Sequence, residues 1–203
     1  MPQQPVLTPL HCCLQQATAA AHRRLERHPL LTKLLSPELS RADYGDTLAA
    51  LYGMQAPAEA AVRHFLLQQP ALFDYSHRYK LPTLDADLHA LGRAPLPLHA
   101  DCPAPSSAGA LFGMLYVLEG ATLGGSVIAH RIRRNTAASL LLPLQFYTVY
   151  GDQVARRWQI FMRYACARCP AGEHTAAATA AVAMFVNLEH HLDACQRWLG
   201  PMQ

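Results

Sequence analysis

The segment LYVLEGATLGGSVIAHRIRR, residues 115–134, decides the fold prediction because it combines a helical pattern with residues that disfavour helices. Its apolar residues recur at helical spacing, yet Gly120, Gly124 and Gly125 lie inside it. Each glycine in a helix interior costs roughly 0.8–1 kcal/mol relative to alanine. A helix that retains these glycines is expected to let another object approach its bare backbone closely.

The remainder of the sequence predicts helices arranged in one domain over residues 1–203. The chain has 203 residues, of which 51% are hydrophobic and 15% charged, which is enough for one sizeable core. Alanine and leucine are abundant and β-branched residues are sparse, which favours helices over strands. We find no apolar/polar alternation long enough for a sheet. The predicted fold is therefore an all-α, single-domain bundle.

Capping residues and prolines predict where the helices begin and end. Thr8 is a candidate N-cap for a first helix over residues 9–28. Ser40 and Asp43 form a start signal for a long second helix, which Pro57 would kink or split. Further helices are predicted at about 81–91, 107–134, 152–167 and 173–199, with a proline-rich loop at 93–107 and an irregular segment at 136–150.

Charge, apolar runs and cysteines exclude several classes of protein. The net charge of +3 is too small to indicate nucleic-acid binding. The longest apolar run stops at Glu119, short of the roughly 20 residues of a membrane span. Because no signal-peptide pattern opens the chain, we expect a cytoplasmic protein. Its six cysteines are then expected to be reduced.

His22 is the residue of the first helix most suited to bind a ligand. It stands among small residues, Thr18 included, and a large flat ligand needs small neighbours beside the residue that holds it. His22 and Glu26 are four residues apart and share a helix face. Since a metal-bound imidazole usually donates its second N–H to a carboxylate or carbonyl, Glu26 is placed to orient it. A surface histidine beside a carboxylate is the alternative interpretation.

The glycines of residues 115–134 also allow two interpretations. Gly120 and Gly124 lie on one helix face, and Gly125 widens the bare patch. If the approaching object is a second helix, the pattern is ordinary packing between small residues. If it is a planar macrocycle, the backbone lies over one face of the ring while a histidine holds the metal from the other. Spacing alone does not separate the two.

Taken together, ATAAAHRRLE (17–26) and YVLEGATLGGSVI (116–128) resemble the proximal and distal helices of bacterial haem oxygenases, and the resemblance covers nearly the whole chain. It implies an all-α bundle in which haem b lies between the first helix and a glycine-kinked distal helix. In the same resemblance, His22 matches the haem-iron ligand and Glu26 the acid that hydrogen-bonds it. Gly120, Gly124 and Gly125 match the distal glycines.

The resemblance also assigns residues to the edge and walls of the haem pocket. Gln15 stands where relatives place a side chain near a haem propionate, often a basic one. His130 matches a basic position at the same edge, and Arg131 is nearby. Tyr116 and Phe185 resemble residues that line the pocket, with a role as ordinary core aromatics as the alternative.

One position of the distal motif departs from the pattern of the relatives. Ala121 stands where mammalian relatives have an aspartate that organises water, and where bacterial relatives commonly have serine. Alanine offers no hydrogen bond, so the backbone around Gly120 and Gly124 and the hydroxyl of Thr122 are the candidate catalytic groups. A helical threonine, however, often bonds a carbonyl of its own helix.

The resemblance implies that the protein uses O2 to cleave haem to biliverdin, carbon monoxide and ferrous iron. GATLGG is no nucleotide-binding fingerprint, so electrons are expected from a ferredoxin or an NAD(P)H-dependent flavin reductase. The biliverdin could serve iron acquisition or supply a phytochrome.

Two alternatives remain at this stage: a haem sensor, store or carrier without turnover, and a helical interaction protein without haem. A di-iron site is disfavoured, because no glutamate has a histidine three residues later.

Overall fold

In the computed structural model, which describes residues 8–134 and 142–200, the regular structure is helical. The helices are α1 (Pro9–Leu25), α2 (Pro29–Lys33), α3 (Arg41–Gln68), α4 (Leu81–Leu91), α5 (Ala108–Arg134), α6 (Val154–Arg168) and α7 (His174–Leu199). Two single 3-10 turns, Gly151–Gln153 and Ala171–Glu173, lead into α6 and α7. No strand occurs in the described ranges, and the all-α prediction is confirmed.

The helix ends follow the local signals in the sequence. Thr8 caps α1 with its side chain, and the helix ends at Leu25, three residues earlier than predicted. Ser40 and Asp43 form a complete capping box at the start of α3. Gly92 follows α4 with φ of +65°, a left-handed conformation that glycine adopts without steric cost.

Three predictions from the sequence differ from the structure or are only partly seen in it. Pro57 lies inside α3, which runs unbroken to Gln68 and is not split. The five-residue helix α2, which His28 caps, was not predicted. A helix of about one and a half turns is too short to show apolar periodicity. The irregular segment is seen over residues 142–150, with turns at 145–150, while 135–141 lie outside the described residues.

Helix α5 runs through the centre of the bundle and packs closely against α7. An added Cβ at Gly113 would lie 2.1 Å from the carbonyl oxygen of Ala177, and one at Gly109 would lie 2.5 Å from that of Glu173. Two backbones approach this closely only where a side chain is missing. The small-residue packing seam therefore exists, but at Gly109 and Gly113 rather than at the glycines of the distal motif.

By length and composition α5 could also cross a membrane, contrary to the expectation from the apolar run that ends at Glu119. An 18-residue window of Ala108–Arg134 has a mean hydropathy of 1.5. Half of that window is buried inside the bundle, however, and Glu119 itself is buried. Its contacts are those of a helix in the core of a bundle.

Substituting Gly113 and Gly124 separately tests which glycines the fold requires. Gly113→Ala should lower the free energy of unfolding by about 1–3 kcal/mol, since the new methyl group meets the α7 backbone. Gly124→Ala should raise it by up to about 1 kcal/mol, because the added Cβ has no neighbour within 4 Å in the described part of the chain and alanine favours the helix. Denaturant unfolding measures both, and equal effects would contradict the assignment.

His28 gives the start of α2 a dependence on pH. Its buried Nδ1 accepts a hydrogen bond from the backbone N–H of Leu30, and its Nε2 lies 3.4 Å from Asp193 without a directed hydrogen bond. Burial lowers the pKa of His28 below the ordinary 6.5, although Asp193 and Glu189 act in the opposite direction. The folded state thus favours the neutral imidazole.

The protein should therefore lose stability as the pH falls below about 6.5, where the unfolded chain binds the proton more readily. In His28→Asn the side-chain oxygen can still cap the helix but does not titrate. Unfolding at pH 7 and pH 5 should show a smaller loss in this variant than in the wild type. His11 and His191, whose pKa values burial also lowers, contribute equally to both proteins, so identical losses would exclude His28 as a contributor.

Candidate functional site

A cavity of about 570 Å³ opens between α1, α3, α5 and α7, with α6 and the 142–150 segment closing its sides. This volume lies within the range of small-molecule and cofactor pockets. Most of the side chains in its wall are apolar, among them Leu25, Met54, Val117 and Leu188. The cavity is thus large enough for a substantial apolar ligand.

His22 presents its imidazole to the cavity from α1. Its side chain is 53% exposed, and Nδ1 lies 3.4 Å from Oε1 of Glu26. Phe185 of α7 packs edge-on against the ring at 5.4 Å between centroids. Because the carboxylate only accepts, we assign the N–H to Nδ1, and the Nε2 lone pair has no partner among the described residues. A histidine held in this way is suited to ligate a metal.

The three glycines of the distal motif line the same cavity but have different surroundings. Beyond Gly124 an added Cβ would meet no atom of the described residues within 4 Å. At Gly120 it would lie 3.6 Å from the ring of Trp158, and at Gly125 it would lie 3.2 Å from that of Tyr147. The motif therefore seats no second helix at Gly124, and this part of the backbone is open to a ligand.

Aromatic side chains form one side of the cavity. The structure places Tyr116 and Phe185 in the wall, and the ring of Trp158 lies 5.4 Å from that of Tyr116. Burial raises the pKa of Tyr116, and the hydroxyl of Thr18 opposes this slightly. The phenol is thus a neutral wall residue at physiological pH.

Four of the residues predicted to surround the haem lie outside the wall. Thr18 is buried behind Tyr116, and its hydroxyl donates to the carbonyl of Leu14 at 2.7 Å. Gln15, His130 and Arg131 are exposed on the surfaces of α1 and α5. Arg131 shares a helix face with Val127 and Ile128, which do line the cavity, so it lies at the edge rather than inside.

A buried group of charged and hydroxyl side chains, here termed the ionic cluster, surrounds Glu119 directly before Gly120. The Glu119 carboxylate, 1% exposed, accepts from Nη1 of Arg78 at 2.5 Å and from Nζ of Lys80 at 2.7 Å. The hydroxyl of Tyr150 donates to the same carboxylate at 3.0 Å. Lys80 also forms part of the cavity wall, so the cluster reaches the cavity.

The ionic cluster is held by opposite charges in a low-dielectric environment. Burial lowers the pKa of Lys80, while the charge of Glu119 and its hydrogen bond act against this. Burial and Glu119 together raise the pKa of Tyr150. Beside the cluster, the hydroxyl of Thr122 donates to the Glu119 carbonyl at 2.6 Å. These bonds fix the backbone of α5 where it faces the cavity.

Comparisons with known proteins identify the family of the chain. The family model described as Heme oxygenase matches residues 8–188. The chain belongs to the haem oxygenase family. A haem oxygenase from Xanthomonas campestris pv. campestris (strain 8004) is 38% identical over 88 residues, which are 43% of this chain and 50% of the relative. In this alignment the chain therefore spans half the length of the curated relative it matches.

Solved haem oxygenase structures share the fold. The haem oxygenase of Leptospira interrogans superposes with a TM-score of 0.76 at 14% identity, over 92% of this chain and 100% of that one. The NO- and CO-bound haem oxygenase of Neisseria meningitidis superposes with a TM-score of 0.71 at 18% identity, over 92% and 91% of the two chains. At these identities the likeness establishes the fold alone.

The ionic cluster of this member of the haem oxygenase family was not predicted from the sequence. Glu119 interrupts an otherwise apolar run, and an acidic residue in a buried helix must find a cation. The signal was present, but the partners stand 39 and 41 residues away in the chain. No local pattern in the sequence points to Lys80 or Arg78 as those partners.

Removing the charge of Glu119 should destabilise the protein. Glu119→Gln keeps the shape of the side chain but removes the carboxylate to which the buried Lys80 and the partly buried Arg78 are bonded, which should cost about 3–5 kcal/mol of unfolding free energy. Glu38→Gln, a change of the same kind at an exposed position, should stay within about 0.5 kcal/mol of the wild type. Equal stabilities of the two variants in denaturant would refute the assigned role.

Proposed function

We propose that this protein is a haem oxygenase that binds haem b as both substrate and cofactor and cleaves it to biliverdin, carbon monoxide and ferrous iron. One observation carries the proposal. The imidazole of His22 and the bare α5 backbone at Gly120 and Gly124 line one cavity, with open space beyond Gly124. This is the arrangement that a ring held between two helices requires.

The residues of the cavity fit haem in chemistry as well as in size. His22 would hold the iron through Nε2, and Glu26 would fix the orientation of its imidazole through Nδ1. When bound, haem supplies the iron that activates O2 and the porphyrin carbon that is oxidised. A neutral imidazole lacks the strong electron donation of a thiolate ligand, which suits oxidation of the ring itself.

The remaining wall residues position the ring and exclude water. Gly120 and Gly124 let the α5 backbone lie over the ring, and apolar side chains such as Val117 and Leu188 keep bulk water out. Ala121 forms part of the wall without offering a hydrogen bond. Because the hydroxyl of Thr122 donates to a carbonyl of its own helix, its oxygen can accept but not donate toward a ligand.

The distribution of cations supports an outward orientation of the haem propionates. Lys80 lines the inner cavity, but its three N–H groups donate to Tyr75, the Arg78 carbonyl and Glu119. A propionate would have to displace one of these buried partners. His130 and Arg131 at the exposed end of α5 are accessible instead, and Gln15 of α1 offers a neutral amide at the surface.

The exposed end of α5, with His130 and Arg131, is also suited to dock the electron donor. A ferredoxin or an NAD(P)H-dependent flavin reductase would dock where the propionates approach the surface, through complementary charge. We place the reaction in the cytoplasm, where such donors are found, and a phytochrome is one acceptor that the released biliverdin could serve.

A second function, haem sensing, storage or transport without turnover, is favoured by one observation. Ala121 removes the hydrogen-bonding side chain from the distal motif, and the neighbouring hydroxyl of Thr122 is already engaged. Under this alternative the protein binds haem through His22 but leaves it intact.

Titration with hemin followed by turnover separates these functions. The wild type should give a defined Soret complex, and with ferredoxin, ferredoxin reductase, NADPH and air it should yield biliverdin, identified by chromatography. A Soret band that persists under these conditions would support the haem carrier. The absence of any hemin complex would refute both functions.

Substitutions of His22 and Glu26 test the proposed ligand. His22→Ala should abolish the wild-type Soret spectrum and turnover, because the iron loses its protein ligand. Glu26→Gln should weaken hemin binding by about 10- to 100-fold, the usual effect of removing the partner that orients a ligating histidine. His190→Ala, an exposed histidine of α7, is the matched control and should behave like the wild type. Normal turnover by His22→Ala would exclude His22 as the ligand.

A further inference from the structure

Gln55 is a buried polar side chain in the cavity wall that the proposed function leaves without a role. It lies on α3 and is 8% exposed. Its neighbours in this part of the wall, Leu51 and Met54, are apolar. A buried amide surrounded by apolar side chains needs hydrogen-bonding partners, and these can come from the protein or from a ligand.

Glu59 fixes the orientation of the Gln55 amide. Nε2 of Gln55 donates to Oε1 of Glu59 at 2.8 Å. The Glu59 carboxylate, also buried, accepts the backbone N–H groups of Lys80 at 2.6 Å and Leu81 at 3.2 Å. Because a carboxylate only accepts, the amide nitrogen, and not its oxygen, must face Glu59.

The rest of the Gln55 amide stays available to a ligand. No described residue donates to its Oε1, and Nε2 retains a second N–H. In the described part of the chain, two polar side-chain atoms are fully buried and lack a hydrogen-bond partner. They are Nε2 of His28 and the hydroxyl oxygen of Tyr147. Since Oε1 of Gln55 is not among them, it remains accessible, and the cavity is the space that this side chain borders.

Hydrogen bonds connect Gln55 to the α5 side of the cavity rather than to α1. Glu59 binds the backbone of Lys80, and the Lys80 side chain binds Glu119, the residue before Gly120. The amide is therefore linked through Glu59 and Lys80 to Glu119, which directly precedes the distal glycines. In that motif Ala121 supplies no hydrogen bond of its own.

We propose that Gln55 hydrogen-bonds the small ligand, water or a diatomic gas, that occupies the α5 side of the haem pocket. Gln55 supplies the donor that Ala121 lacks, and Glu59 is a positioning residue that holds its amide. This inference rests on the proposed haem binding. It does not require turnover, so it can be tested on complexes in which no reaction takes place.

The test compares carbon monoxide complexes of the reduced, haem-loaded protein by infrared spectroscopy. Gln55→Met removes the amide but keeps a long unbranched side chain, and Gln55→Asn keeps an amide that is one methylene shorter. Both should shift the CO stretching band to higher frequency, because a hydrogen bond to the CO oxygen lowers it. Stopped-flow measurement should also show O2 leaving the variants about 2- to 10-fold faster, the effect of losing one hydrogen bond. Gln68→Met, the same change at the exposed end of α3, is the control and should match the wild type.

The outcomes distinguish this inference from the function on which it rests. A wild-type CO frequency and O2 release rate in both Gln55 variants would overturn the role of Gln55. Loss of hemin binding in both variants, with unchanged unfolding of the apoprotein, would also overturn it, because Gln55 would then shape the pocket rather than bond the ligand. A wild type that forms no hemin complex would instead overturn the proposed haem binding.

Discussion

The close approach of α5 to α7 at Gly113 is the contact on which the rest of the structure depends. With no side chain between them, the two backbones meet and α5 becomes the central helix of the bundle. The same helix then carries Gly120 and Gly124 to the cavity, where the space beyond Gly124 is open. Glycine thus has two different surroundings along one helix, the backbone of α7 at Gly113 and the cavity at Gly124.

The buried charge of Glu119 lies between these two parts of α5 and explains how a glycine-rich helix keeps its position. Arg78 and Lys80 reach it from the segment before α4, and Tyr150 reaches it from the segment before α6. A buried ion pair contributes little net stability compared with apolar packing, but it defines one arrangement because any other leaves a charge unpaired. The flexibility that the glycines would permit is therefore restricted at the cavity.

The two sides of the cavity differ in the type of group they present. The α1 side offers the imidazole of His22, whose Nδ1 lies 3.4 Å from the Glu26 carboxylate. The α5 side offers bare backbone, and the adjoining α3 wall offers the amide of Gln55, held by Glu59. In the proposed function His22 would ligate the iron from the α1 side, and the α5 side, where the described wall residues include no second histidine, would be left for a gas molecule.

The sequence by itself determined the elements whose physics is local. The caps at Thr8 and Ser40 and the pairing of His22 with Glu26 involve residues within one helical turn, so spacing was sufficient to predict them. Only the tertiary structure decided which glycines pack against a helix and which face a cavity, and which cations reach Glu119. The contacts of Gly113 with α7 and of Glu119 with its cations join residues 39 or more positions apart, and their geometry depends on how whole helices pack, which no local pattern encodes.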